Sequence, residues 1–186
     1  MDVAELIRRT DAGARVKYLF FWGHQPQRDG SIGASCLSQW WPAEFTVDGQ
    51  TFATAEHYMM WRKALLFGDT AAAERVLAAT HPNDAKTVGR QVRGFDPDLW
   101  DASCFDIVTV GNTAKFDADD ALRAYLLGTG ERVLVEASPL DRVWGIGLAA
   151  DDPRAGRPRE WRGRNLLGFA LMAARTALRE KYGDAP

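Results

Sequence analysis

Residues 54–69, TAEHYMMWRKALLFGD, carry the pattern that decides the fold class. Thr54 is a good N-cap and Gly68 a good helix stop, so this stretch is predicted to form one helix. Apolar side chains occupy nearly all of its faces, which is typical of a helix buried inside a protein. Glu56 and Lys63 interrupt this apolar surface, and two buried charges need a physical reason because unpaired burial is expensive.

Glu56 and Lys63 are predicted to share one face of the helix. At about 100° per residue they fall about 20° apart, and their Cα atoms lie two turns, roughly 10.5 Å, from one another. One interpretation is a structural ion pair, or a helix turned so that one charged end reaches solvent. The other is a catalytic pocket, in which an acid and an amine face a sugar-sized cavity walled by indoles. The spacing alone leaves both interpretations open.

On either side of this helix, short apolar runs alternate with longer helical periods. A buried strand is predicted at 17–23, a hairpin at 44–53 turning at Asp48-Gly49, and a further strand at 132–138. The remaining helices are predicted from capping residues and prolines, and they cover 70–80, a short segment opening at Pro82-Asn83, Asp96 to about Phe116, a segment capped by Asp117 and ending at Gly128 or Gly130, and about Asn165 to Tyr182.

These elements predict a mainly α fold, or an α+β fold, with two to four short strands in one small sheet. We expect a single domain over 1–186 with a core of about 18–180. Two long stretches, 23–39 and 149–164, are rich in Gly, Pro and polar residues and are predicted to be loops. Loops of such length inside a domain are usually functional or mobile.

The composition excludes several classes of protein. With 186 residues, 46% of them hydrophobic, the chain has enough apolar material for one domain. Its net charge of -2 argues against a whole-surface attraction to nucleic acid or lipid, and leaves a local basic patch open. The first residues lack the apolar core of a signal peptide, and no uncharged run approaches the roughly 20 residues of a membrane span. We therefore expect a reduced, cytoplasmic protein with no membrane partner.

Cofactor and metal motifs are not evident. Cys36 and Cys104 are too few for a disulfide scaffold or a multi-cysteine metal site. His24, His57 and His81 lie on different predicted elements, so a zinc site is not expected, and His57 is interpreted as a satisfied core or supporting histidine. Neither a dinucleotide-binding nor a P-loop pattern occurs, so we expect no cofactor.

Three further segments carry candidate binding residues. Asp141 and Trp144 in SPLDRVWGIG (138–147) could bring an acid and an indole to a ligand, or form a turn with one core Trp. Arg90 and Arg93 in GRQVRG (89–94) suit phosphate, or belong to a solvated basic face. In GRNLLG (163–168), the Arg164 side chain, the Asn165 amide and free backbone N–H groups could hold a phosphate or ribose, or mark an ordinary helix start capped by Asn165.

Taken together, these segments resemble the NADAR family, also called YbiA-like. The resemblance runs from about Tyr18 to Arg179. It depends on the order of several blocks: SQWWPAEFTVDG, TAEHYMMWRKA, GRQVRG, LWD (99–101), KF (115–116), LLGTGERVLVEAS, DRVWGIG and GRNLLGFALMAAR. It implies an α-rich fold and an N-glycosidase that cleaves ribose from an exocyclic amino group. Two implied substrate types are phosphoribosylamino-pyrimidine intermediates of riboflavin synthesis and ADP-ribose on the amino group of guanine, in one modified nucleotide of a nucleic acid or free.

The resemblance also assigns residues. The family's acid falls on Glu56, its helix lysine on Lys63, and its later acid on Asp141, so these three are the implied catalytic residues. Substrate contacts are expected from Trp100, Trp144, Arg90, Arg93, Arg164, Asn165, and from Gln39 and Trp41 of the segment before Pro42. Many members carry Ser-Asn where this chain has Ser38-Gln39, so the longer side chain of Gln39 is expected to alter the contact made there.

The residue types support two routes for breaking the C1′–N bond. Glu56 could protonate the leaving nitrogen and activate water, with Asp141 binding ribose hydroxyls or acting as a second carboxylate. Alternatively, Lys63 could displace the heterocycle as a Schiff base, if burial lowers its pKa. Two non-enzymatic alternatives are a module that binds ADP-ribose or a nucleotide without cleaving it, and a helical interaction protein in which the buried charges and the Trp residues only pack.

Overall fold

The computed structural model describes residues 1–183, and it confirms a mainly α fold with a few short strands. These residues contain seven α-helices and four strands. They form two compact units. The split unit combines Met1–Ser38 with the chain from Ala124 onward, and the inserted unit is Gln39–Arg123. A single domain over 1–186 stays a prediction.

The split unit contains a parallel pair of strands covered by a helix. Strand β1 (Tyr18–Phe21) lies beside β4 (Val133–Glu136), with Tyr18 opposite Val133 and Phe21 opposite Glu136. Helix α7 (Leu166–Tyr182) packs on β4. Gly168 allows this contact, because a Cβ there would lie 2.1 Å from the Leu134 carbonyl oxygen. Both strands and the helix match their predicted positions.

The same unit contains helix α1 (Val3–Asp11), which the sequence analysis did not predict. Asp2 is its N-cap and accepts a hydrogen bond from the backbone N–H of Glu5. Leu6 is its one fully buried side chain, although Val3, Leu6 and Ile7 follow the spacing of an amphipathic helix. The long predicted loops contain only short 3₁₀ turns, at Ala34–Leu37 and Pro158–Glu160.

The inserted unit is built around the helix that the opening stretch predicts. Helix α2 (Ala55–Leu66) begins after Thr54, whose hydroxyl accepts from the His57 backbone N–H, and it ends before Gly68 at a φ of 69°. It packs against α3 (Thr70–Ala78), α4 (Pro82–Arg90) and α5 (Pro97–Asp117), so it is central to the unit, as its apolar faces predict.

Two glycines allow the neighbouring helices to approach α2 closely. A Cβ on Gly89 of α4 would lie 2.0 Å from the Met60 sulfur, and one on Gly111 of α5 would lie 2.4 Å from the Tyr58 ring. A side chain at either position would displace the Met60 or Tyr58 side chain, or the helix itself, because protein interiors contain few voids to absorb added atoms. The glycine that begins GRQVRG is therefore a packing residue.

The predicted hairpin is present in the inserted unit. Strands β2 (Phe45–Val47) and β3 (Gln50–Phe52) are antiparallel, and the turn residues Asp48 and Gly49 have φ values of 51° and 78°. Positive φ at both positions is what a two-residue type I′ turn requires. Phe45 and Phe52 then pack on Tyr58 of α2.

Two structural expectations are wrong. The four strands form two separate two-stranded sheets, since β1 pairs with β4 and β2 with β3. Asp117 does not cap the helix that follows it, because α5 continues through Asp117. Helix α6 (Asp120–Gly128) is capped two residues later by Asp119, which accepts from the N–H groups of Ala121 and Leu122.

Candidate active site

The acid and the amine predicted on one helix are both on α2, and they differ in their surroundings. Glu56 lies in the first turn, is 2% exposed, and donates its backbone N–H to the Gln39 carbonyl at 3.0 Å. Lys63 lies in the last turn and is partly buried. A carboxyl group and an amine are side chains used in acid/base and nucleophilic catalysis, and this helix carries one of each.

The ammonium group of Lys63 is held by a carbonyl and two aromatic rings. Its Nζ donates a 2.9 Å hydrogen bond to the Gly89 carbonyl of α4. It also lies 4.2 Å from the ring centroid of Phe95 and 5.4 Å from that of Trp100. Burial lowers the pKa of Lys63, so this side chain loses its proton more readily than a free lysine does. The structure thus brings together two of the predicted residues, Lys63 and Trp100.

These contacts test the first interpretation of the charged face, a structural ion pair between Glu56 and Lys63. The contacts of Lys63 with the part of the chain that the structure describes involve Gly89, Phe95 and Trp100, and none involves Glu56. A structural ion pair between Glu56 and Lys63 is therefore not formed. A shared sugar-sized cavity between them stays a prediction.

A second polar cluster, absent from the sequence analysis, lies on α5 next to Gln39. Nδ2 of Asn112 donates 2.9 Å and 2.8 Å hydrogen bonds to Oε1 of Gln39 and to the Val108 carbonyl. Lys115, one turn after Asn112 on the same face, is 0% exposed, and its Nζ lies 4.9 Å from the Phe116 ring centroid. Gln39 and Asn112 are also buried. The signal was present in the sequence, because both α5 residues interrupt an otherwise apolar stripe.

His57 is a satisfied core histidine, as predicted. It is 3% exposed, with Nδ1 2.8 Å from the Thr54 hydroxyl and Nε2 3.2 Å from the Ala79 carbonyl. Burial lowers its pKa. The neutral ring therefore links the first turn of α2 to the end of α3, and each of its nitrogens has a hydrogen-bond partner.

The two arginines of GRQVRG differ. Arg93 donates from its backbone N–H, Nε and a terminal nitrogen to the carboxylate of Asp69, the N-cap of α3. This contact holds the pKa of Asp69 well below its usual range. Arg93 therefore has a structural task, whereas Arg90 is exposed at the end of α4. A phosphate contact by either arginine stays a prediction.

In the split unit, Asp141 organises a turn. Its Oδ1 accepts from the backbone N–H groups of Val143 and Trp144, at 2.8 Å and 2.7 Å, and its own N–H donates to the Ser138 hydroxyl. Trp144 is partly exposed. One carboxylate oxygen therefore fixes the loop that presents the indole. This arrangement combines the two interpretations of the segment, a turn and a presented Trp.

Asn165 is committed to the strand beside it. It is 0% exposed, adopts a φ of 51°, accepts at Oδ1 from the Glu136 N–H and donates from Nδ2 to the Leu134 carbonyl. It occupies the N-cap position of α7, and its side chain makes no capping hydrogen bond to the helix. Arg164 is exposed beside it.

The other aromatic candidates are partly exposed. Trp41 and Trp100 are neither fully buried nor fully exposed, which leaves ring surface for contact. Among residues 1–183 no group of three His, Cys, Asp or Glu side chains is arranged to hold a metal ion. In the same residues no helix combines the length and apolar character needed to cross a membrane.

Comparison with known proteins matches this architecture to one family. The family model described as the NADAR domain matches residues 20–179. The chain is 43% identical over 164 residues to N-glycosidase R617 of Acanthamoeba polyphaga mimivirus, covering 86% of this chain and 95% of that protein. It is 31% identical over 138 residues to N-glycosidase YbiA of Escherichia coli, covering 74% and 76%.

The solved structure of E. coli YbiA superposes with a TM-score of 0.71 at 25% identity, covering 90% of this chain and 88% of that one. A further relative is the chloroplastic riboflavin biosynthesis protein PYRR of Zea mays, which is 32% identical over 136 residues. That alignment covers 69% of this chain and 20% of the maize protein.

Proposed function

The chain belongs to the NADAR family, and from that premise we propose that it is an N-glycosidase. Its reaction would be hydrolysis of the C1′–N bond between a ribose and an exocyclic amino group of a pyrimidine or guanine. The single observation that carries the proposal is helix α2, which holds a buried carboxyl group, Glu56, and an amine of lowered pKa, Lys63, in contact with the Trp100 ring. Relatives named N-glycosidases support the same reaction class.

In the direct route Glu56 is the general acid and base. Its carboxyl proton passes to the exocyclic nitrogen as the C1′–N bond breaks, and the bonding electron pair leaves with the free amine. The resulting carboxylate then takes a proton from water, whose oxygen bonds to C1′. The products are the free heterocyclic amine and a ribose with a C1′ hydroxyl group. This route needs Glu56 for proton transfer, and Lys63 would contribute only its positive charge to the site.

In the covalent route a neutral lysine attacks C1′ of the ring-opened sugar. The heterocyclic amine leaves, a Schiff base remains on the lysine, and water then hydrolyses it. Lys63 suits this role because burial favours its neutral form. Lys115 is a second candidate amine because it is fully buried on the face of α5 that carries Asn112.

Substrate recognition is proposed for partly exposed rings, for exposed arginines and for the buried amide of Gln39. Trp100 would stack the heterocycle, with Lys63 at its face. Gln39 uses its side-chain oxygen to accept from Asn112, so its NH₂ group is the part available to a ribose or base. Trp41 and Trp144 are proposed as further stacking surfaces, and Arg90 and Arg164 as phosphate contacts. The two proposed substrates are a ribose-phosphate pyrimidine intermediate and ADP-ribosylated guanine.

The test is to offer both substrate types to purified protein and to measure release of the free amine. Glu56→Gln should lower the turnover rate by about 10²- to 10⁴-fold, the usual contribution of a general acid or base, with the melting temperature unchanged. The matched control is Glu44→Gln, an exposed acid of the same unit, which should retain full turnover. Binding of either substrate without any product would instead identify a non-catalytic binding module.

A further inference from the structure

The split unit contains a cavity that is lined by none of the residues assigned to the reaction. Its volume is about 860 Å³, within the usual range of small-molecule sites. Five cationic side chains line it, from α1, the segment before β1, the turn after α6, and α7: Arg9, Arg15, Lys17, Arg132 and Arg175. We call it the basic cavity. The chain as a whole carries a net charge of -2, so this concentration of positive charge is local.

Arg175 is the strongest indication that the basic cavity needs an anion. Only 4% of this residue is exposed, and one terminal nitrogen donates to the Thr129 hydroxyl at 2.7 Å and to the Arg132 carbonyl at 3.0 Å. Its Nε is buried and makes no hydrogen bond to the part of the chain described by the structure. A buried guanidinium bound mainly to neutral oxygens is costly, and an anion in the adjoining cavity would reduce that cost.

The nearby acid, Glu131, offsets this charge only in part. Glu131 is the one acidic residue in the cavity lining, and its carboxylate pairs with Arg179 at 2.5 Å. Burial, with a further contribution from Arg179, lowers the pKa of Arg175 to about 10. Arg175 therefore remains charged at neutral pH, although its environment disfavours that charge.

Local structure fixes the side chain of Arg132 and the backbone of Lys17. Arg132 donates from Nε and a terminal nitrogen to the carbonyls of Thr129 and Gly128, at 2.8 Å and 2.9 Å. The backbone of Lys17 is fixed where β1 begins, because its carbonyl accepts from the Val133 N–H at 2.9 Å. Arg15 and Lys17 are exposed and free to close over a ligand. Val16, Val133 and Met172 add apolar wall.

We propose that the basic cavity binds a small molecule that carries a diphosphate or triphosphate group. Several guanidinium groups can each bind phosphate oxygens through two parallel N–H donors, which favours a multiply charged phosphate over a single carboxylate. The apolar wall residues and the volume leave room for an attached nucleoside. A local cavity on a protein of slightly negative net charge does not suit the continuous backbone of a long nucleic acid.

The test is isothermal titration calorimetry of the full chain with inorganic pyrophosphate and with ADP. Both should bind, and the double variant Arg15→Gln/Lys17→Gln should weaken each by at least about tenfold, because two of five cations are removed from the exposed rim. Arg28→Gln, an exposed arginine in a loop of the same unit, is the control and should bind like the parent. Arg175→Lys should also weaken binding, because it removes the bidentate group.

Three results would overturn the proposal. The first is that neither ligand binds at millimolar concentration. The second is that ADP binding is lost in Lys63→Met or Trp100→Ala and kept in Arg15→Gln/Lys17→Gln, which would place ADP at the candidate active site. The third is that a short oligonucleotide binds through these arginines while ADP does not. Turnover of Glu56→Gln tests the glycosidase separately, so failure of one proposal does not affect the other.

Discussion

Nδ2 of Asn112 donates a 2.9 Å hydrogen bond to Oε1 of Gln39, a residue 73 positions earlier in the chain. The Gln39 carbonyl in turn accepts from the backbone N–H of Glu56 at 3.0 Å. Through these two bonds, α5 and the segment before the hairpin hold the first turn of α2, where the proposed acid lies. We therefore expect Asn112 to be a positioning residue, and a variant at this position tests whether the polar cluster is part of the site.

Asn112→Ala should lower the free energy of unfolding by about 1–3 kcal/mol, because it leaves the buried Gln39 oxygen without its donor. Chemical denaturation measures this loss. Asn83→Ala on the exposed side of α4 is the control and should change stability by less than about 0.5 kcal/mol. If Asn112 also positions the site, the turnover of the folded variant should fall more than its KM rises. An equal loss of unfolding free energy in Asn112→Ala and Asn83→Ala would show that Asn112 is not part of the polar cluster.

A trapping experiment distinguishes the two candidate nucleophiles, the amines of Lys63 and Lys115. Borohydride reduction during turnover, followed by peptide mass spectrometry, should place a ribose-derived adduct on Lys63, because its neutral form is favoured by burial. Lys63→Arg should abolish the adduct. An adduct on Lys115 would transfer the nucleophile to α5. No adduct on either lysine, with turnover still lost in Glu56→Gln, would indicate the direct route.

Two variants of Asp141 distinguish a catalytic role of its negative charge from its structural role in the turn. Asp141→Asn keeps an oxygen that can accept from the Val143 and Trp144 N–H groups, whereas Asp141→Ala removes it. If the carboxylate mainly forms the turn, the Asn variant should lose less than the roughly 10²-fold expected for a proton-transfer group, and the Ala variant should lose more. Steady-state kinetics distinguish them. Equal, large losses in both would make Asp141 a second catalytic carboxylate.

The contact between α2 and α5 should be intolerant of added volume. Gly111→Ala places a methyl group 2.4 Å from the Tyr58 ring, and overpacking of this kind costs about 1–3 kcal/mol of unfolding free energy. Gly128→Ala, with no neighbour within 4 Å of the added atom, should be neutral or stabilising, since Ala favours helix. Thermal and chemical denaturation measure both variants. If Gly111→Ala keeps the free energy of unfolding of the parent, the Tyr58 ring must be able to rotate away from the added methyl group.

Asp69 should make stability depend on pH. The hydrogen bonds from Arg93 hold the Asp69 pKa below its ordinary value of 3.8, so the folded state favours the charged carboxylate. This stabilisation is complete above the unfolded pKa and is lost as the pH falls below it. Asp69→Asn should therefore lower the melting temperature at pH 7, and its difference from the parent should shrink towards pH 2. Asp106→Asn, exposed on α5, should show no such difference at either pH.

Local sequence signals determined most of the helices and strands. The Asp48-Gly49 turn, the Thr54 cap and the Gly68 stop each act over a few residues, so the hairpin and α2 could be placed from the sequence. The all-round apolar surface of α2 also predicted its central position. Helix α1 was missed although its sequence carries both an N-cap, Asp2, and apolar residues at helical spacing. The separation of the strands into two sheets was not predicted, because strand pairing depends on residues far apart in the chain.

The candidate site divides in the same way. Helical spacing alone placed Glu56 and Lys63 on one face of a buried helix. Only the tertiary structure showed that Lys63 donates to Gly89 against Trp100, that Arg93 is committed to Asp69, and that Asn112 and Lys115 are buried. These outcomes depend on which helices pack together, and residues far apart in the chain decide that packing. Sequence periodicity reports which face of a helix is apolar, and it does not report which partner that face meets.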